Sequence, residues 1–318
     1  MKHESQPEVV TFGESMALMT PLYGAGLEEA GTLVKSFGGA ESNVAIGLAR
    51  LGHRAGWFGL LGDDPMGKYV LKKIRGEGVD VSRARLSGQA QTGLMLREER
   101  YGKTSVYYYR SASAARLIRP DDLDADYIAG ARILHITGIT PALSESCRET
   151  VFAALEIARR EKVKVCFDPN LRLKLWPIEQ AREVIWRLAQ TADYFLPGLD
   201  ELSHLFPGED VEALFNRLRE LPGVSVVKGS GTTYVLENGN AREVEWFPVQ
   251  RVVDPIGAGD GFCAGFLSGI LRGWSLAEAA RLGNLVGSIV VQHVGDWEAL
   301  PDKETVESIL FGRKHVER

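Results

Sequence analysis

Near the C-terminal end of the chain, Asp254-Pro255-Ile256-Gly257-Ala258-Gly259-Asp260-Gly261 runs directly into the apolar stretch Phe262-Cys263-Ala264-Gly265-Phe266-Leu267. The first part reads as a turn whose small residues let the backbone approach a ligand, and the second as the beginning of a helix. Backbone N–H groups at such a junction have no carbonyl partner inside the helix, so they attract anions. Gly257, Ala258 and Gly259 are therefore candidates for an anion hole, and Asp260 for a general base. Amides of this kind can stabilise a transferring phosphoryl group while the carboxylate takes a proton from an attacking hydroxyl. The plain alternative is an ordinary helix start, with Asp260 a carboxylate favoured by the dipole.

A second Gly-opened helix is written at Gly38-Gly39-Ala40-Glu41-Ser42-Asn43-Val44 and closes at Gly52, a position typical of a C-cap. Here the small-residue turn would bring the backbone and Asn43 near a polyhydroxy ligand, while Val44, Leu48 and Leu51 form the buried stripe. In Val106-Tyr107-Tyr108-Tyr109-Arg110, strand periodicity puts Tyr108 and Arg110 on one face. A phenol beside a cation suits an anionic, hydroxyl-bearing substrate; the alternative is a surface hairpin. Phe167-Asp168-Pro169-Asn170-Leu171-Arg172 follows an apolar run, so Asn170 and Arg172 fall at a strand's carboxyl end. Arg172 could meet a substrate carboxylate or phosphates there, or form a loop ion pair. One string misleads: Gly62-Asp63-Asp64-Pro65-Met66-Gly67-Lys68-Tyr69 has P-loop spacing. It ends in Tyr69 where a P-loop needs Ser or Thr, and Asp63 and Asp64 would repel phosphate, so it reads as a turn before an amphipathic helix. No dinucleotide-binding glycine motif opens a helix after a strand, and the six His residues form no zinc pattern.

The elements that must position these residues are legible as an alternation. Strands are expected at 8–12, 55–61, 133–136, 162–167, 194–196 and 224–227. Helices are expected at 41–51, 66–76, 144–160, 178–190, 209–221, 260–272, 275–293 and 303–311. Buried strands alternating with helices argue for an α/β fold with a mainly parallel central sheet flanked by helices on both faces. Ligands in such folds bind outside the carboxyl ends of the strands. Residues 15–37 and 92–110 break the rhythm and read as extended chain, the second a hairpin around Tyr101-Gly102-Lys103. Together they would form a small β-sheet lid on a single domain spanning 1–318. With 318 residues and 45% hydrophobic content the chain can bury a substantial core. A net charge of −5, with no basic stripe, gives no reason to expect nucleic acid or a membrane surface. No stretch is long and apolar enough to span a bilayer, and the polar 1–8 segment lacks a signal-peptide core. Cys147, Cys166 and Cys263 read as reduced thiols of a cytoplasmic protein, with Cys166 and Cys263 buried in apolar runs.

The two Gly-opened segments together resemble the two signatures of the PfkB-type (ribokinase-like) carbohydrate kinases. The likeness extends over roughly 8–310 through residues 10–16, 107–114, 135–144, 168–172 with Leu175-Trp176, 195–198, and Gly295-Asp296. The Tyr-Tyr-Arg strand, the run from Thr137 to Leu143 and Gly295-Asp296 resemble the branch that acts on 2-keto-3-deoxygluconate. The resemblance implies a ribokinase-like fold with a β lid, and ATP-dependent phosphorylation of the acid's terminal hydroxyl. It makes Asp260 the base and the amides of Gly257, Ala258 and Gly259 the anion hole. It places Gly38, Gly39, Asn43, Tyr108, Arg110, Arg172 and Asp296 on the sugar acid. Asn170 and Glu201 would lie toward phosphate and Mg²⁺. The nucleotide would meet Asn170, Lys228, Gly229, Ser230, Gly231, Gly257, Gly259 and Asn284. The resemblance also implies ATP and Mg²⁺, allows a monovalent cation such as K⁺, and suggests a homo-oligomer. The alternatives are a fructokinase or ribokinase of the same family and, from another class, a non-catalytic sugar-binding regulator.

Overall fold

Strand residues of this chain are apolar on both sides, and the structure supplies a helical layer for each. The computed structural model describes residues 6–22, 25–237 and 239–312. The chain begins with β1 (Val9–Phe12), β2 (Met16–Pro21), β3 (Leu33–Gly38), α1 (Ala40–Arg50), β4 (Ala55–Phe58), β5 (Leu60–Gly62) and α2 (Pro65–Gly76). There follow β6 (Arg85–Ser87), β7 (Leu94–Arg100), β8 (Lys103–Tyr109), α3 (Ala125–Gly130), β9 (Ile133–Thr137), α4 (Thr140–Leu143) and α5 (Glu145–Glu161). Next are β10 (Lys164–Asp168), α6 (Ile178–Ala189), β11 (Tyr194–Phe195), α7 (Leu199–Leu205), α8 (Val211–Arg219) and β12 (Val224–Lys228). The chain closes with β13 (Thr232–Glu237), β14 (Asn240–Glu245), α9 (Ala258–Leu271), α10 (Leu276–Val290) and α11 (Lys303–Phe311).

Among the described residues the central sheet runs β4-β1-β9-β10-β11-β12-β13-β14. The pairs from β4 to β12 are parallel, and β13 and β14 add an antiparallel edge. Successive strand residues feed opposite cores: Val9, Ile133, Cys166 and Val226 join one cluster with α1, α9 and α10. Val10, Leu134, Phe167 and Val227 join the other with α5, α6 and α8. Helix α9 can sit close to its neighbours because glycines replace side chains where backbones meet. A Cβ on Gly47 of α1 would stand 2.6 Å from the Ala264 Cβ, and one on Gly265 would stand 2.7 Å from the Leu282 carbonyl oxygen of α10.

A second sheet, β3-β2-β7-β8, draws its strands from residues 16–38 and 94–109; Tyr23 and Gly24, within the first extended stretch, lie outside the described residues. The β7–β8 turn is Tyr101-Gly102, both at positive φ, the geometry that matches hairpin twist. Met16, Leu18 and Met95 form a small apolar cluster on this sheet, with Val106 against it.

Several boundaries differ from the sequence expectation. The 55–61 strand breaks at Gly59, where any side chain would stand 2.4 Å from the Gly13 carbonyl oxygen, and the chain leaves to pair β5 with β6. Strand β10 starts at Lys164 because Lys162 is spent as the left-handed cap of α5. The β13–β14 hairpin was not expected, since an edge strand reading Asn-Ala-Arg-Glu-Val-Glu carries no apolar run. The P-loop-like string is a turn and a helix start: Asp64 caps α2 through the Gly67 N–H at 2.8 Å and also accepts from the Thr92 N–H at 2.8 Å. Lys68 points to the surface and pairs with Asp63. We expect Asp64→Ala to cost about 1–2 kcal/mol in urea unfolding, the range for losing a cap. In the same titration Lys68→Ala should shift stability by less than ~1 kcal/mol, as an exposed pair does. A neutral Asp64→Ala would show that the cap is not what fixes this turn.

Candidate active site

The close packing of α1 on α9 brings the two Gly-opened N-termini together. Asn43 of α1 donates its amide N–H to Asp260 Oδ2 at 2.8 Å. Helix α9 starts at Ala258, with Gly257 as its N-cap at φ 78, a left-handed conformation that glycine adopts freely. A side chain at Gly257 would also stand 2.0 Å from the Asp296 carbonyl oxygen. Local geometry and local crowding therefore both require glycine there.

The helix junction opens onto a cleft of about 640 Å³ outside the carboxyl ends of the parallel strands. Glu14 beyond β1, Asp168, Asn170 and Arg172 around the end of β10, Glu201 on α7 and Lys228 at the end of β12 all face it. The opposite wall is the small sheet, which presents Met16, Leu18, Met95, Arg97, Val106 and Tyr108, with Arg110 just beyond β8. This wall combines apolar cover with two guanidinium groups.

Charges in the cleft are strongly perturbed. Burial, and after it the neighbouring Asp296 carboxylate, push Asp260 up to about 8, against the lowering effect of the Asn43 hydrogen bond. Burial and then Glu298 push Asp296 up to about 7. Burial works against the charged form of Lys228, but the Asp168 carboxylate, 3.1 Å from Nζ, holds the amine protonated well above its usual range. The Lys228 ammonium also lies 4.0 Å from where a Cβ on Gly259 would be, next to the first turn of α9. The small sheet's cations are paired too: Arg110 contacts Glu14, and Arg97 Nη2 lies 2.6 Å from Asp254 Oδ2. Glu41, buried beneath the α1 N-terminus, accepts the Thr137 and Thr140 hydroxyls at 2.6 and 2.8 Å; burial raises its pKa.

A family model described as the pfkB family carbohydrate kinase matches residues 6–303. The chain belongs to the pfkB family of carbohydrate kinases. It is 40% identical over 316 residues to the 2-dehydro-3-deoxygluconokinase of Bacillus subtilis, covering 97% of each chain. It is 34% identical to the probable chloroplastic fructokinase-6 of Arabidopsis thaliana, covering 97% of this chain and 83% of that one. Among solved structures, a PfkB protein from Polaromonas superposes with a TM-score of 0.87 at 35% identity, covering 95% of this chain and 99% of that one. The ribokinase-like fold expected from the sequence is the fold this pfkB kinase has.

Most residues singled out in the sequence meet at this cleft: Gly38, Gly39, Asn43, Tyr108, Arg110, Asn170, Arg172, Glu201, Lys228, Gly229, Gly257, Gly259, Asp260 and Asp296 all line it. Others have further partners in the fold. Asn284 does not line the cleft. Its Oδ1 accepts the Thr233 hydroxyl at 2.7 Å and its Nδ2 donates to the Val244 and Glu245 carbonyls, so it is spent tying α10 to β13 and β14. Ser230 and Gly231 are exposed in the turn beyond β12, directly after the cleft residues Lys228 and Gly229. Ala258 is also off the wall, its N–H directed to the Pro255 carbonyl at 3.4 Å. Glu201 accepts the Leu171 and Gly198 N–H groups at 2.6 and 2.7 Å, so both oxygens fix loops. Asn43 donates its Nδ2 to Asp260, while its Oδ1 is a buried acceptor without a partner at the cleft. Sequence reasoning missed Glu14, Arg97, Asp168 and Asp254, because each acts through an ion pair with a residue distant in sequence. Only the placement of Glu14, Asp168 and Asp254 inside the quoted motifs could have pointed to them; Arg97 lies in none.

The raised Asp260 pKa has two consequences of opposite sign. As a base the group must be ionised, so kcat/KM should rise with pH as a single ionisation and level off above about 8. A profile flat from pH 6 to 9 would dismiss Asp260 as the titrating base. For stability, a folded-state pKa above the unfolded value means that this contribution is complete below about 4 and is lost as pH rises through about 8. Asp260→Asn should therefore raise the melting temperature of the ligand-free protein at pH 8.5, with a smaller gain at pH 5.

Proposed function

We propose that this chain transfers the γ-phosphoryl group of ATP to the terminal hydroxyl, O6, of 2-keto-3-deoxygluconate, the acid also called 2-dehydro-3-deoxygluconate. One observation carries the reading: a buried carboxylate, Asp260, stands at the glycine-opened N-terminus of α9 in a cleft shared with Tyr108, Arg110 and Arg172. Near-complete alignment with a 40% identical 2-dehydro-3-deoxygluconokinase supports the same substrate.

The chain's residues divide the work by position. Arg172, which has no carboxylate partner among the described residues, meets the substrate carboxylate, with Arg110 and Tyr108 beside it. Gly38 and Gly39 let the sugar approach the backbone; a Cβ on Gly38 would stand 1.8 Å from Asp296 Oδ2, which is placed to accept a sugar hydroxyl. Asp260, oriented by Asn43, accepts the O6 proton, while the Gly257 and Gly259 amides and Lys228 face the phosphoryl oxygens. Mg²⁺ carried in with ATP would offset the charge on the phosphates, with Asn170 toward it. The site fits an ion held mainly by phosphate and water. Among the described residues no group of three His, Cys, Asp or Glu is arranged to hold a metal, whereas Asn170 Oδ1 is a buried acceptor with no partner. The small sheet acts as a lid, its apolar face excluding water from the transfer.

The reading extends to a cytoplasmic protein, in keeping with three buried, unpaired cysteines. It extends also to a homo-oligomer formed through the lid edges β3 and β8, where Leu33, Val34, Tyr107 and Tyr109 are exposed. Activation by a monovalent cation is tested by exchanging K⁺ for tetramethylammonium in the assay. The 34% identical fructokinase keeps a neutral-sugar kinase as the second reading.

An ADP-release assay over 2-keto-3-deoxygluconate, its galactonate epimer, fructose and ribose decides between them. We expect the two acids to be turned over and the neutral sugars to be poor; preference for fructose would establish the second reading, and no turnover with any acceptor a non-catalytic binder. Asp260→Asn should lower kcat by about 10²–10³-fold, the usual loss on removing such a group. Arg172→Ala should raise KM for the acid much more than for any neutral sugar accepted; equal increases would remove the carboxylate clamp.

A further inference from the structure

We propose that Arg97 is a positioning residue for phosphoryl transfer: a guanidinium carried by the lid that fixes the turn presenting the anion-hole amides. Arg97 lies on β7 on the same face as Met95 and lines the cleft, yet only 5% of it is exposed. Its Nη2 reaches across to Asp254 Oδ2 at 2.6 Å, and Asp254 is 1% exposed. Asp254 belongs to neither the lid nor α9. Its Oδ1 accepts the Ile256 N–H at 3.1 Å, closing the turn that leads to Gly257. Its Oδ2 accepts the Gly295 N–H at 3.2 Å, anchoring the segment that carries Asp296. The Asp296 carbonyl in turn packs against Gly257. One buried carboxylate thus ties both segments flanking the N-terminus of α9, and the lid supplies its counter-charge.

A buried carboxylate is strongly disfavoured without a paired cation. The segments around Asp254 therefore keep this shape only while the Arg97 guanidinium is seated between them. Arg97 also works against the upward push on Asp296, so the same cation favours the charged form of a second cleft carboxylate. Seating of the lid and assembly of the amide cradle become one event. Water admitted by an open lid then meets an unfinished anion hole, which guards ATP against hydrolysis. The inference rests on the phosphoryl-transfer reading of the cleft but not on which acceptor is used.

The test uses the full chain with the best acceptor from the panel. Arg97→Ala should lower kcat by about 100-fold, as loss of anion-hole geometry does, with acceptor KM changed by less than about threefold. Guanidinium ion at millimolar concentration should restore at least a tenfold part of that loss, while sodium chloride of equal ionic strength should not. A purely structural role would show neither the split between kcat and KM nor the rescue. Wild-type kcat in Arg97→Ala, or a loss insensitive to guanidinium, overturns the proposal. Should Arg97→Ala fail to fold, the double variant Arg97→Met/Asp254→Asn removes both buried charges. A kcat near wild type in that folded protein would equally overturn it, whereas a low kcat with unchanged acceptor KM supports it. Amide hydrogen exchange gives a readout independent of the acceptor: residues 255–260 should lose protection in Arg97→Ala even if every sugar in the panel proves a poor substrate. Unchanged exchange there refutes the proposal.

Discussion

The structure is organised around a carboxylate that would be more stable protonated. Asp260 is 8% exposed and shares its wall with Asp296, so its charge is disfavoured twice, by lost hydration and by a like neighbour. Besides the charge of Arg172, two features of the helix pair oppose this: the Asn43 amide at 2.8 Å and the N-terminal end of α9. Both depend on the crossing of α1 over α9, and that crossing depends on Gly47 and Ala264 letting the two helices approach. Core packing at one end of these helices thus sets proton affinity at the other. A base whose pKa lies near the working pH can take a proton in the transition state and release it afterwards, which neither a fully solvated nor a fully paired carboxylate does as well.

What the sequence revealed and what it concealed follow from the same physics. Gly257 and Gly38 were legible because an anion hole and a close backbone approach demand residues without side chains, and such demands are written locally. The parallel sheet was legible because strands covered on both faces must be apolar throughout. Arg97, Asp254, Glu14 and Asp168 were not assigned because a buried ion pair imposes no period and no spacing. Arg97 and Asp254 become neighbours only when the lid folds over α9. The β13–β14 hairpin was hidden for a related reason: at the sheet edge, β14 faces water on most of its length and carries Arg242, Glu243 and Glu245 instead of an apolar run. Asn284 was carried to the nucleotide by resemblance alone, and position in a motif does not reveal partners: here its amide satisfies strand carbonyls and a threonine hydroxyl.

The balance of charges around the cleft also explains why it should prefer an acid. Four cations line it: Arg97, Arg110, Arg172 and Lys228. Three are already matched, Arg97 by Asp254, Arg110 by Glu14 and Lys228 by Asp168. Those pairs fix geometry and contribute little further attraction for a ligand, since each cation's field is largely cancelled at short range. Arg172 alone reaches the cleft without a carboxylate partner among the described residues. One unmatched guanidinium suits a substrate bearing one carboxylate. A neutral hexose could take only hydrogen bonds from Arg172, without the charge-assisted pairing that a carboxylate gains. Substrate charge is therefore selected less by how many cations the cleft holds than by which of them the fold leaves unpaired.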